Sequence, residues 1–170
     1  MRSSRGVAHI IIGCEAIIFS QERRQGLLDN VRNADRRLAD IQYCNSSEEL
    51  AKQQTIEMLQ KYPSIRCMVG LNESSAVGIC KGLTELGLAG KIKVVACDSS
   101  TQLIQYMEMG TVQVFVVQNP FNMGYVSVKQ AVRILQGKKI DPAFDTGSVV
   151  VTRENLYTQE NQKLLFPFTN

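Results

Sequence analysis

Short apolar runs alternate with amphipathic stretches along most of this chain. Residues 7–12 are apolar apart from His9 and read as a buried strand. Ser20 is placed to cap a helix from residue 21 to about 34, with Glu22 in its first turn. Leu27, Val31 and Ala34 fall on one face of that helix. Residues 41–44 read as a second strand. Ser46 and Glu49 then form a capping-box pattern, opening a helix that runs to about Lys61 ahead of Pro63. Residues 65–71 predict a third strand. Ser74 starts the next helix, whose inner face holds Ala76, Ile79, Cys80 and Leu83, and Gly87 and Gly90 mark its exit.

Residues 92–97 predict a fourth strand. Ser99 or Ser100 caps a short helix through Met109, which Gly110 ends. Residues 112–117 predict a fifth strand, after which Pro120 breaks the chain. A last helix over 122–136 carries Val128, Ala131, Val132 and Leu135 on one face. Residues 147–152 predict a final strand, and the tail to Asn170 reads as mostly irregular. This alternation predicts an α/β fold, a doubly wound and mostly parallel sheet with helices on both faces. Strands buried on both faces are continuously apolar, as these are. Ligands of such sheets bind beyond the carboxyl ends of the strands.

Composition narrows the function. The chain has 170 residues, 44% apolar and 21% charged, with a net charge of +3. That length is enough for one domain with a core. Its basic residues are scattered rather than gathered in a stripe, so no nucleic-acid partner is expected for this segment. The five cysteines form no CxxC pair and there is a single histidine, so no metal site or cofactor is predicted. An odd cysteine count opposes a disulfide framework, and five free thiols suit a reducing interior, or a bacterium living without oxygen, better than an oxidising space. No run approaches the roughly 20 apolar residues of a membrane span.

The strand ends hold the polar residues of interest: Arg23 after the first strand and its loop, then Asn72, Asp98 and Gln118. Each has a bland explanation as well: Asp98 as preparation for a helix start, Asn72 as turn chemistry, Arg23 as a solvated charge, Gln118 as an exit from the sheet. Together they make a set with one carboxylate, one guanidinium and two carboxamides. Carboxylates accept, guanidinium donates in a fork, and amides do both, which suits the hydroxyls of a neutral polyol. Cleaving a glycosidic bond usually takes two carboxyl groups. The chain has no GxSxG, P-loop or GxGxxG motif. As a phosphoacceptor, Asp98 would lack an acidic pair at the first strand, where Glu15 stands alone, and a lysine at the fifth. No enzymatic activity is expected.

Four segments carry a resemblance. They are Glu22-Arg23-Arg-Gln-Gly26, Gly70-Leu-Asn72-Glu-Ser-Ser-Ala76-Val-Gly78, Val94-Val-Ala-Cys-Asp98-Ser-Ser100 and Val116-Val-Gln118-Asn-Pro120-Phe-Asn-Met-Gly124. In order and spacing, from about residue 7 to 151, the chain resembles the carboxyl-terminal lobe of type I periplasmic sugar-binding proteins of the ribose-binding kind. The effector domains of lac-repressor-like regulators are related to these. The resemblance implies ligand contacts from Arg23, Asn72, Asp98 and Gln118, with a sugar as small-molecule partner. It implies an ABC-type uptake role and a membrane permease as partner of the full-length protein, in the periplasm or on the membrane surface of a Gram-positive bacterium. The alternative is a cytoplasmic effector domain of a regulator or sensor.

The same resemblance divides the chain. Residues 1–6 read as a linker or tag remnant and 7–117 as the carboxyl-terminal lobe. Residues 118–146 are the hinge and a helix that belongs to a first lobe preceding this segment, and 147–170 are the return strand and tail. Where ribose-type members carry an aromatic in this lobe, the chain has Ser46, and its loop between Gly13 and Arg23 is longer by a few residues. Without the first lobe, the apolar face of the 122–136 helix lacks its sheet. Burying one such side chain is worth roughly 1.5–3 kcal/mol. The segment alone is therefore expected to form a homo-oligomer through that helix, or to fold the helix back on its own lobe.

Overall fold

The computed structural model describes residues 8–13, 18–33 and 37–166. Val7, Cys14, Glu15, Ala34 and the segments before and after lie outside the described residues. The elements run β1 (Ala8–Gly13), α1 (Ile18–Asn33), β2 (Arg37–Tyr43), α2 (Glu48–Lys61), β3 (Ile65–Gly70) and α3 (Glu73–Glu85). They continue with β4 (Lys93–Cys97), α4 (Thr101–Glu108), β5 (Val114–Gln118), α5 (Pro120–Leu135), β6 (Ser148–Thr152) and α6 (Gln159–Leu165).

Six strands form one sheet in the order β2-β1-β3-β4-β5-β6. The first five are parallel, and β6 returns antiparallel along β5, with Val116 opposite Val150. The α/β, mostly parallel architecture read from the sequence is therefore present. Period-two alternation sorts the two faces. Met68, Val94 and Ala96 point into the large core with Ala51, Ile79, Leu83, Leu103 and Phe115, beneath α2, α3 and α4. Val69, Val95 and Cys97 point the other way, against Leu27 and Leu28 of α1.

Helix α2 approaches α3 closely because small residues meet between them. A methyl added at Gly78 would lie 2.4 Å from the Ala51 Cβ and 2.5 Å from the Glu48 carbonyl oxygen. The ion pairs Lys81–Glu48, at 2.6 Å, and Lys52–Glu85, at 2.7 Å, fasten the same two helices at their solvent side.

Several boundaries differ from the sequence expectations. Helix α1 begins at Ile18, so Ser20 is its third residue and not its cap, and Glu22 falls beyond the first turn. Ile18 and Phe19 are taken into the helix. Helix α2 is capped by Ser47, in the extended conformation, rather than Ser46, whose backbone is left-handed. Asn72, not Ser74, caps α3, and Ser75 completes a capping box. Pro120 does not break the chain: it occupies the first turn of α5, where its missing N–H costs nothing, behind an Asn119 cap. The tail is not irregular. Thr158 caps α6, Asn161 donates to the Asn155 carbonyl at 2.8 Å, and Leu164, Leu165 and Phe166 pack on the core.

Helix α5 stands apart, with no buried residue. Val128 is 66% exposed and Leu135 87%. The helix has not folded back on its own lobe.

Candidate functional site

Four strands end at one edge of the sheet, and the helices that follow them begin there. Caps at Ser47, Asn72, Ser100 and Asn119 start α2, α3, α4 and α5. The positive ends of four helix dipoles thus face this rim. Arg23 reaches it from the second turn of α1. One terminal nitrogen, Nη1, donates to the Leu71 carbonyl at 2.8 Å and to Asp98 Oδ2 at 3.1 Å. Its other terminal nitrogen, Nη2, donates to Asp98 Oδ1 at 2.8 Å and to Gln118 Oε1 at 3.1 Å. The Arg23–Asp98 pair is a two-pronged charge-assisted contact, the strongest kind of neutralised pair available. Burial works against the charged guanidinium. The hydrogen bond and charge of Asp98 outweigh that burial and hold its pKa above the ordinary value.

Asp98 is presented by an unusual backbone. It follows β4 with φ 70, in the left-handed region that Asp tolerates better than most residues. Its N–H donates to the Val116 carbonyl at 3.0 Å, tying the turn to β5. Such conformations persist where surrounding structure enforces them, often at ligand sites. Gln118 is the last residue of β5 and is exposed. Its Oε1 faces Arg23, which leaves the amide NH2 as its outward end.

The structure therefore brings Arg23, Asp98 and Gln118 into one network. Asn72 is not bonded into it. Its Oδ1 accepts from the Ser75 N–H at 3.1 Å and its Nδ2 donates to Ser46 Oγ at 3.1 Å. It stands one residue beyond Leu71, whose carbonyl holds Arg23, so the network and the Asn72–Ser46 pair share one stretch of rim. Sequence reasoning missed two members. The Leu71 carbonyl carries no side-chain signal. Ser46, read as a helix cap and as the residue that stands in place of an aromatic, carried no sign of its hydrogen bond to Asn72.

Beneath the rim, burial pushes the Cys97 thiol up to about 11, with Arg23 pulling the other way, and pushes the Cys80 thiol up to about 12. Both are neutral at physiological pH. Among the described residues no cluster of His, Cys, Asp or Glu is grouped to hold a metal ion, and no helix is long and apolar enough to cross a membrane. The rim is a neutralised ion pair flanked by amides, a surface that donates and accepts hydrogen bonds without net charge.

Comparison with known proteins bears on the same region. Residues 19–139 match the profile of the periplasmic binding protein domain. The chain belongs to that family. It is 25% identical over 149 residues to a D-ribose/D-allose-binding protein of Pseudomonas aeruginosa, covering 88% of this chain and 46% of that protein. It is also 25% identical over 138 residues to a D-allose-binding periplasmic protein of Escherichia coli, covering 81% and 44%. The chain thus spans less than half the length of these curated relatives. Among solved structures, an ABC transporter solute-binding protein from Agrobacterium vitis, bound with alpha-D-tagatopyranose, superposes with a TM-score of 0.91. At 21% identity this likeness shows the fold, over 95% of this chain and 55% of that one. A sugar transporter from Clostridium phytofermentans is 32% identical with a TM-score of 0.76, covering 87% and 53%.

Proposed function

We propose that the full-length protein is the solute-binding component of an ABC-type carbohydrate uptake system, and that this chain is one lobe of it. The observation that carries the reading is the Arg23–Asp98–Gln118 network at the strand ends. Asp98 keeps lone pairs beyond those facing Arg23, Gln118 keeps its NH2, and Asn72 keeps a second N–H. That combination takes the hydroxyls of a neutral sugar. It offers one carboxylate and no nucleophile paired with a base, so we assign it binding and no chemistry. Relatives named for ribose and allose binding support uptake over the regulator alternative. The periplasmic binding protein family and the periplasmic relative of Escherichia coli favour an extracytoplasmic location.

The domain reading follows from the same proposal. Residues 7–117 and the return strand form the carboxyl-terminal lobe. Residues 118–146, with α5, dock on an amino-terminal lobe that supplies the other half of the site, and the two lobes close by hinge motion. The lack of any buried residue in α5 supports this, as does the half-length match to relatives. In the 170-residue chain alone, we propose that a second copy covers the α5 face. A membrane permease is the partner of the complete, sugar-loaded protein.

Calorimetric titration of the full-length gene product with D-ribose, D-allose, D-fucose and D-arabinose tests the reading. Saturable binding of at least one, absent for glutamate or leucine, is the expected result. Binding of an amino acid with no response to any sugar would overturn it.

A further inference from the structure

Ser46 is the rim residue that the four-residue reading leaves out. It lies between β2 and α2 beside Asn45, and both have left-handed backbones, at φ 59 and φ 48. Neither is glycine, and two such residues in succession are uncommon. The turn does not serve to cap α2, because Ser47 does that. The Ser47 N–H closes the turn onto the Cys44 carbonyl at 2.8 Å, and the same turn sets Ser46 Oγ 3.1 Å from Asn72 Nδ2.

Asn72 is consequently clamped at both ends. Oδ1 accepts from the Ser75 N–H and Nδ2 donates to Ser46. Flipping the amide would set its NH2 against a backbone N–H, so the orientation is fixed. The second Nδ2 hydrogen then has a set direction, and Ser46 Oγ retains its own proton. We propose that Ser46 is a positioning residue of the ligand face: through the Asn72 amide it fixes one N–H donor for a sugar hydroxyl oxygen. This rests on the reading of the rim as a sugar site.

A double-mutant cycle in the full-length gene product tests it, titrating the sugar that wild type binds most tightly of the four above. Ser46→Gly removes the hydroxyl and leaves the left-handed backbone unstrained. Asn72→Ser keeps a capping oxygen and removes Nδ2. Each is expected to weaken binding roughly 3- to 10-fold, the worth of one neutral hydrogen bond. The double variant should be no weaker than the poorer single by more than about twofold, since both changes remove one interaction. Ser46→Asn tolerates the left-handed region and offers an acceptor, and should restore most of the affinity. An affinity for Ser46→Gly within about twofold of wild type, or effects that multiply in the double, would overturn the proposal. Loss of binding in Asp98→Asn with Ser46→Gly unaffected would sink the Ser46 proposal alone. A wild type that binds none of the sugars would sink both it and the sugar reading.

Discussion

Arg23 has four terminal N–H groups, and all four point at protein acceptors: the Leu71 carbonyl, both Asp98 oxygens and Gln118. To donate to a ligand through these terminal nitrogens it must give one up, and the exposed Gln118 bond is the one a hydroxyl can replace. Its main service is to orient Asp98 through the two-pronged contact. Asp98→Asn should therefore lower sugar affinity of the full-length protein by roughly 10- to 100-fold, the range of charged hydrogen bonds, as read by calorimetry. Its stability should change by less than about 1 kcal/mol, because side-chain exposures of 23% and 34% leave the pair screened by solvent. A fall in melting temperature with affinity intact would assign the pair a structural role instead. The buried thiols make a second prediction. Cys97 and Cys80 are raised from 9.0 to about 11 and about 12 by burial. Their contribution is complete below about pH 9, where both states carry the proton. It is lost as pH rises from there through the folded-state values, at roughly 1.4 kcal/mol per pH unit for each thiol. Urea melts at pH 8, 9 and 10 should show that decline, and Cys97→Ala should make it shallower.

At the scale of elements, glycine separates packing from propensity. Gly78 sits where α2 and α3 touch, so Gly78→Ala must push Ala51 and the Glu48 carbonyl aside. It should destabilise by about 1–3 kcal/mol. Gly26 lies on the open surface of α1 with nothing within 4 Å of an added methyl. Gly26→Ala should stabilise by about 0.5–1 kcal/mol through helix propensity. Thermal melts of the two variants, moving in opposite directions, check both. The elements themselves were legible because buried parallel strands read as apolar runs, and α3 showed its Ala76, Ile79, Cys80 and Leu83 face. Helix starts were not. Ser46 and Ser47, or Asn72 and Ser74, are both competent caps by chemistry, and the choice falls to backbone angles that long-range packing sets. Helix α6 escaped detection because it is only about two turns long, ordered by Asn155 and Asn161 rather than by periodicity. At the rim, Arg23, Asp98 and Gln118 were legible as strand-end polar residues. The Leu71 carbonyl and the Ser46 hydroxyl were not, since one has no side chain to read and the other needs a turn no motif announces.

At the scale of the molecule, α5 exposes Phe121, Tyr125, Val128, Val132 and Leu135 together on one helix. Apolar surface of this kind finds a partner. The 170-residue chain should sediment as a dimer or larger species, and Val128→Glu with Val132→Glu should shift it toward monomer. A wild-type monomer at high concentration would contradict the docking role given to this helix. The account as a whole depends on side chains from α1 and the ends of β3, β4 and β5 acting on one ligand. A crystal structure of the full-length protein with its bound sugar tests that most directly. Hydroxyl oxygens within about 3.2 Å of Asn72, Asp98 and Gln118, with Arg23 behind the carboxylate, are the predicted result. A sugar held elsewhere, with these four residues facing solvent, would contradict it.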